Sequence, residues 1–200
     1  MATVTKRVFD ILMSSLGIIL LSPLLLFIGL LVKIDSPGPA LFRQERIGRH
    51  FRPFKIFKFR TMTGEPSGDV TLTVGEDVRI TRVGRWLRRS KLDELPQLFN
   101  VVVGDMSLVG RRPEVPRYVE MFRKDYEELL AVQPGMTDAA SITYRHEAAL
   151  LGMADNAEQA YISTILPEKI RIAKIYLRHS SFLVDLFIIL RTLFVKPQRG

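Results

Sequence analysis

The stretch VFDILMSSLGIILLSPLLLFIGLLV, residues 8–32, decides what kind of protein this is. From Leu16 to Val32 it carries no charge and is interrupted only by Gly17, Ser22, Pro23 and Gly29. About twenty apolar residues suffice to cross a bilayer, so the segment belongs in lipid. Lys6 and Arg7 look like the positive start of a secretory leader, but no small-x-small cleavage site follows the run. Positive charge stands on both sides, with Lys6 and Arg7 before the segment and Lys33, Arg43, Arg46, Arg49, Arg52, Lys55, Lys58 and Arg60 after it. Basic flanks favour the cytoplasmic side, and here the two ends compete for it. Ser22-Pro23 offers a resolution. Proline removes one backbone donor and clashes with the carbonyl four residues back, while a serine hydroxyl can bond the freed group. Two topologies follow: a helix broken at Ser22 and Pro23 that re-enters the same leaflet, and a kinked helix that spans.

The remaining composition narrows the function classes. Two hundred residues with 47% hydrophobic content make one domain with a packed core beside the membrane segment. A formal charge of +8 calls for an anionic partner, whether nucleic acid, lipid headgroups or a phosphorylated substrate. The absence of cysteine excludes disulfides, thiolate zinc sites and cysteine nucleophiles. His50, His146 and His179 suggest no histidine metal cluster, and position 150, where a zinc-protease helix needs its second histidine, is Leu. There is no Walker or dinucleotide loop, no RNA-recognition strand pattern and no clean helix-turn-helix.

Outward from the apolar segment, Ser36-Pro37-Gly38-Pro39 marks a boundary between a membrane helix, residues 1–35, and a soluble domain, residues 36–200. Two short strands are expected at 40–46 and 51–61 around Gly48, with Phe54, Ile56, Lys58 and Arg60 on one face. Residues 64–77 read as a polar loop or loose hairpin. Arg79, Arg82, Arg85, Arg88, Arg89 and Lys91 are interleaved with Ile80, Val83, Trp86 and Leu87 at helical spacing, so one face is cationic and the other apolar. Asp93 and Glu94 follow at once. They are expected in the first turn of a helix, where acids oppose the dipole and Pro96 is tolerated. That placement alone explains them as a cap, yet arginines abutting a helix N-terminus are also what phosphate recognition requires. Further helices are expected at 113–131, at 147–166 with a break near Gly152, at 167–178, and at 181–195 as a core or interfacial helix. The fold class is α+β, mainly helical, with a short β-hairpin and amphipathic interfacial helices.

Several motifs occur together and in order. They are Lys6-Arg7-Val8-Phe9-Asp10, the Ser22-Pro23 pair, Phe57-Lys58-Phe59-Arg60-Thr61-Met62, Arg79-Ile80-Thr81-Arg82-Val83-Gly84, Leu92-Asp93-Glu94-Leu95-Pro96-Gln97, Gly104-Asp105-Met106-Ser107 and Arg112-Pro113. As a set they closely resemble the bacterial sugar transferase family, in particular its small members, the monotopic phosphoglycosyl transferases. The resemblance implies an enzyme that transfers a sugar 1-phosphate from a UDP-sugar to a polyprenyl phosphate, typically undecaprenyl phosphate, with release of UMP. It implies a re-entrant N-terminal helix, a Mg²⁺ cofactor and a soluble domain on the cytoplasmic face of the bacterial inner membrane, in contact with anionic lipids and not with nucleic acid. By motif position Asp93 is the expected nucleophile, Glu94 completes the dyad, and both carboxylates are the expected metal ligands. Arg112, Arg88, Lys58, Arg60 and Arg145 are the expected phosphate-binding set.

Two departures from the family pattern bear on this reading. Gly110-Arg111-Arg112-Pro113 stands where the family commonly has Gly-Pro-Arg-Pro, and Pro134-Gly135-Met136-Thr137-Asp138 where it has Pro-Gly-x-Thr-Gly. An acid at a loop glycine puts the backbone of Asp138 in question. The alternatives to the enzyme are a membrane-anchored module that binds anionic lipid or nucleic acid, and a catalytically idle member of the family.

Overall fold

A computed structural model of the chain describes residues 4–64, 77–145 and 147–194. Most of the loop expected at 64–77, together with His146 and the end of the last helix at Val195, lies outside the described residues. Helix α1 (Val4–Asp35) is followed by strands β1 (Leu41–Ile47) and β2 (Pro53–Phe59), then by α2 (Arg82–Ser90) and α3 (Gln97–Val103). Strand β3 (Ser107–Val109) leads to α4 (Pro116–Met121) and α5 (Arg123–Leu129), and strand β4 (Gly135–Thr137) to α6 (Ala139–Thr143), α7 (Glu147–Gly152) and α8 (Ala157–Ala160). A π-helical turn, Tyr161–Ile165, feeds α9 (Leu166–His179), and α10 (Phe182–Phe194) closes the described chain. The architecture is mainly helical, with one antiparallel hairpin in which Leu41 pairs with Phe59 and Ile47 with Pro53.

Helix α1 is long and apolar enough to cross a membrane, and only 11% of its most apolar stretch is buried, which separates it from the core helix of a soluble protein. Ser22 and Pro23 do not interrupt it: helical structure continues from Val4 to Asp35. The reason is local. Ser22 Oγ donates to the carbonyl of Ile19 at 2.8 Å, and that is the carbonyl an N–H at position 23 would have bonded. One face of α1, marked by Arg7, Asp10, Ser14, Gly17, Leu24, Ile28, Val32 and Asp35 at helical intervals, meets the rest of the protein along the whole helix. Leu12, Leu16, Ile19, Leu20, Leu26 and Leu30 stay exposed.

Polar contacts pin both ends of α1 to the same body. At the N-terminal end Arg7 donates from Nη1 to the Val101 carbonyl at 2.7 Å and from Nη2 to that of Val102 at 3.0 Å, closing the negative end of α3. Asp10 accepts from Ser107 Oγ at 2.7 Å and from the Leu108 N–H at 3.2 Å, and Lys6 pairs with Asp185. At the other end Asp35 accepts from the Val83 N–H at 3.1 Å, while Arg60 donates to the carbonyls of Val32 at 3.3 Å and Ser36 at 2.6 Å. Between the pins Ile28 and Val32 pack on Phe59 of β2 and Leu87 of α2.

The larger core lies away from α1, where α4, α5, α7, α9 and the π turn surround Tyr118, Tyr126, Leu130, Tyr161 and Leu166. The expected helix over 113–131 is two helices divided at Phe122, and a pairing not read from the sequence joins β3 and β4 in parallel, Ser107 beside Gly135 and Val109 beside Thr137. Strands of three residues carry too little periodicity to be seen, and a parallel partner is remote in sequence. The approach is tight: a Cβ on Gly135 would sit 2.1 Å from the Gly110 nitrogen.

A buried polar network ties the hairpin to this core. Glu114 accepts from Arg46 Nη1 at 3.1 Å and from the Tyr161 hydroxyl at 2.6 Å. Burial pushes the Glu114 carboxyl up, but Arg46, Lys169 and the Tyr161 and Val115 donors outweigh it and hold it below the ordinary carboxylate range. A carboxyl held low stabilises the fold above its unfolded-state value and loses that contribution as pH falls through the folded one. Glu114→Gln removes this titration and leaves Arg46 without its counter-charge. We expect it to cost about 3–5 kcal/mol at neutral pH and to flatten the loss of stability below about pH 5, both read from denaturation across a pH series. An unchanged pH profile would show that Glu114 is not the group being titrated.

Candidate active site

The two helices held by α1 flank the acidic pair. Helix α2 ends because Lys91 adopts a left-handed conformation, φ 59°, and its N–H closes back on the Leu87 and Arg88 carbonyls. A single 3-10 turn, Leu92–Glu94, follows, and α3 begins only at Gln97 with Pro96 at its cap. The pair therefore does not sit in the first turn of an α-helix as expected. In a turn of three residues per revolution, neighbouring side chains diverge by about 120°, and the two carboxylates take different surroundings.

Glu94 is locked. Arg112 Nη1 donates to its Oε2 at 3.0 Å, Arg112 Nη2 bonds its Oε1, and Lys58 Nζ lies 3.5 Å from Oε1. Burial raises the Glu94 carboxyl, yet Arg112 and Lys58 together hold it well below the usual carboxylate range. Lys58 responds in turn: burial, offset in part by Glu94, brings its ammonium down to about 8. Asp93 differs in its hydrogen-bond partners and in the direction of its shift. It is 8% exposed, and its Oδ1 is buried with no hydrogen-bond partner. Burial and then the charge of Glu94 push its carboxyl up, against the pull of Lys58, Lys91 and Arg88. Two adjacent acids are thus divided into one carboxylate held by Arg112 and Lys58 and one with an unsatisfied oxygen.

Of the expected phosphate-binding residues, the structure brings Arg112, Lys58 and Arg88 to the pair. Arg88 is aimed by Thr61, whose Oγ1 accepts from Nε at 2.9 Å, and by the Met62 sulfur at 3.0 Å from Nη2. Arg60 is not brought there. It lies one residue beyond β2, and its guanidinium caps α1 through Val32, Ser36 and Pro37. Arg145, in the turn after α6, makes no contact with Asp93 or Glu94 among the described residues.

No group of three His, Asp or Glu side chains able to hold a metal occurs among the described residues. Two carboxylates would instead suit a magnesium ion that draws the rest of its shell from oxygens outside the protein. Magnesium takes one or two carboxylates and completes its shell with phosphate oxygens and water, and Asp93 Oδ1 has no partner while Glu94 Oε2 accepts from Arg112 Nη1 alone.

A buried acidic pair of this kind, bounded by guanidinium groups beside a long apolar helix, agrees with a comparison of sequences. The family model described as bacterial sugar transferase matches residues 1–199. The chain belongs to the bacterial sugar transferase family. Over 210 residues it is 38% identical to the exopolysaccharide production protein PSS of Rhizobium leguminosarum bv. phaseoli, covering all of this chain and 98% of the relative. It is 40% identical to the UDP-glucose:undecaprenyl-phosphate glucose-1-phosphate transferase of Klebsiella pneumoniae, over 96% of this chain and 40% of the relative. Against the UDP-N-acetylgalactosamine-undecaprenyl-phosphate N-acetylgalactosaminephosphotransferase of Aeromonas hydrophila it is 38% identical, over 94% of this chain and 42% of the relative. The chain thus spans about two fifths of the length of the last two.

Three positioning residues of this family member were not read as such from its sequence. Asn100, fully buried, accepts from the Phe57 N–H at 3.0 Å and donates to the Lys55 carbonyl at 2.8 Å, so its amide extends the edge of β2 and fixes α3 against it. Asp138 accepts from the Arg112 N–H at 2.9 Å and caps α6 through the Ser141 N–H. Its φ of −153° is ordinary extended backbone, so the glycine expected there is not needed. The Asp138-x-x-Ser141 spacing before a short helix was the available signal. Gly84 is the third: a Cβ there would lie 2.2 Å from the Thr61 carbonyl oxygen. Only glycine lets α2 come close enough for Arg88 to reach Thr61. Gly84→Ala should therefore destabilise by about 1–3 kcal/mol through overpacking, measured by denaturant unfolding in detergent. Wild-type stability would mean that α2 does not press on Thr61.

Proposed function

We propose that the chain is a phosphoglycosyl transferase that moves a sugar 1-phosphate from a UDP-sugar to a polyprenyl phosphate such as undecaprenyl phosphate, releasing UMP, through a phosphosugar intermediate on Asp93. The observation that carries this reading is the division of labour in the acidic pair. Glu94 is held in place by Arg112 and Lys58 at both of its oxygens, whereas Asp93 has an unpartnered oxygen and a raised carboxyl. The printed activities of the Klebsiella and Aeromonas relatives, both acting on undecaprenyl phosphate, support the same substrate class. Those names divide between glucose and N-acetylgalactosamine donors, so the proposal stops at a UDP-sugar.

Asp93 attacks the sugar-bearing phosphorus of the donor as its bond to the bridging oxygen breaks, and that oxygen leaves on UMP. A phosphate oxygen of the lipid then attacks the same phosphorus, the carboxylate leaves, and a sugar diphospholipid forms with Asp93 restored. Phosphoryl transfer of this kind depends on positioning and charge neutralisation. Arg88, aimed by Thr61, and Lys58 supply fixed positive charge beside the reacting oxygen, and Arg112 keeps Glu94 ionised and still. Magnesium, held by Asp93 and Glu94 with the diphosphate, would supply further neutralisation of the donor charge.

We also propose that α1 is re-entrant and that the protein is monotopic on the cytoplasmic face of the inner membrane, with its basic surface on anionic lipid. The support is the double attachment. A straight helix of 32 residues is about 48 Å long, against a hydrocarbon core of about 30 Å. A span would carry Arg7 and Asp35 to opposite sides, yet both bond the same polar body. Exposed Phe182, Leu183, Phe187 and Leu190 on α10, with Trp86 and Phe99, add apolar surface suited to the interface.

Two outcomes check these readings. With donor alone, intact-mass spectrometry should find the protein heavier by one sugar phosphate and UMP already released. Asp93→Asn should abolish adduct and turnover, whereas an adduct surviving in that variant would falsify the assignment. For topology, cysteines placed at Thr3 and at the exposed Pro39, just beyond α1, should both be labelled by an impermeant maleimide from the cytoplasmic side of inverted vesicles. Labelling of the Thr3 site from the periplasmic side would establish a spanning helix instead.

A further inference from the structure

Beside the acidic pair lies a crevice walled by Arg111, Arg112, Glu114, Tyr126, Asp138 and Lys169. Four of its five charged groups are accounted for. Arg112 holds Glu94, Glu114 is bonded by Arg46 and Tyr161, Asp138 accepts two backbone N–H groups, and Lys169 Nζ bonds Glu147 at 2.5 Å. Arg111 is the exception. It is 8% exposed, lies over the Tyr126 ring with its central carbon 4.6 Å from the centroid, interacts with the Tyr126 hydroxyl, and donates from Nη1 to the Arg112 carbonyl at 2.8 Å. Its Nε and Nη2 are buried with no hydrogen-bond partner, and no carboxylate lies within salt-bridge distance of it among the described residues.

A buried guanidinium with two orphan nitrogens and no carboxylate bonded to it is costly to the fold, and the cost is relieved when an anion enters. The crevice has room of about 20 Å³, enough for one or two water-sized atoms and too little for a sugar ring. We propose that Arg111 is a donor-binding residue whose Nε and Nη2 receive an anionic oxygen group of the sugar nucleotide. The group enters by its terminal oxygens alongside Arg112, which walls both this crevice and the acidic pair. Stacking on Tyr126 keeps the planar fork in one orientation, the condition for two parallel bonds to a carboxylate or phosphate. Two sources share that chemistry, a carboxylate on the sugar, as in a uronic acid donor, and a phosphate oxygen of the diphosphate.

The inference rests on the proposed transferase reading, and the experiment separates the two. UMP release is measured for the full chain in nanodiscs with polyprenyl phosphate and Mg²⁺, using UDP-glucuronate and UDP-glucose, for wild type, Arg111→Met and Arg111→Lys. Calorimetric titration with each nucleotide sugar runs in parallel, so that binding is read even if no donor turns over. Arg111→Met should weaken binding roughly 10- to 100-fold, the value of hydrogen bonds to a charged group, with kcat little changed and Arg111→Lys intermediate. A loss confined to UDP-glucuronate identifies the sugar carboxylate, and an equal loss with both donors identifies the phosphate. Binding within twofold of wild type for both donors in Arg111→Met overturns the inference, as does a loss of kcat that merely follows a fall in melting temperature. Wild type that binds donors and never releases UMP would overturn the transferase reading and leave the Arg111 result standing on the titrations.

Discussion

The double attachment of α1 is the constraint on which the rest of the structure depends. An apolar helix joined to a soluble domain at one end only could pivot, and nothing in the domain would need to match it. Here Arg7 and Asp10 fasten the N-terminal half to α3 and β3, while Asp35 and Arg60 fasten the C-terminal half to α2 and to the chain beyond β2. The two helices fastened in this way are the ones that bracket the 3-10 turn carrying Asp93 and Glu94. The apolar helix and the site geometry are therefore one arrangement: α1 fixes the spacing of α2 and α3, and with it the acidic pair.

Within that frame the two carboxyls are unequally paired. Identical carboxyl chemistry at adjacent positions acquires different surroundings because one group receives a planar guanidinium and an ammonium and the other receives no hydrogen bond at its buried oxygen. Coulomb attraction that holds Glu94 ionised also adds negative charge beside Asp93, which is why burial and Glu94 act together to raise the Asp93 carboxyl. The arginines of α2 divide in the same manner. Arg88 is half-buried and tied to Thr61, while Arg82, Arg85 and Arg89 remain exposed on the cationic face. Arg111 and Arg112, neighbours in the chain, likewise differ in their partners: Arg112 holds the Glu94 carboxylate, and Arg111 has two buried nitrogens without a hydrogen bond.

Residues adjacent in sequence disclosed the apolar helix, the hairpin around Gly48, the basic amphipathic α2 and the acidic pair, because periodicity and charge are local properties that survive without a partner. Even the repair of Pro23 by Ser22 was open to prediction, since both groups belong to one turn. What local pattern did not disclose was where a charge goes. Arg60 and Lys58 alternate on one face of a strand, yet the strand ends at Phe59, and Arg60 turns to the carbonyls of α1 while Lys58 reaches Glu94. Lys6 and Arg7 read as a membrane-flanking signal and are also fastenings, because Asp185 and the α3 carbonyls, nearly a hundred residues or more away, supply their partners. Side-chain length permits many partners for a buried cation, and only the packed chain selects one. Sequence alone sufficed for the chemistry present; the assignment of each carboxylate and guanidinium to a task required the long-range contacts that bring α1, β2 and α3 together.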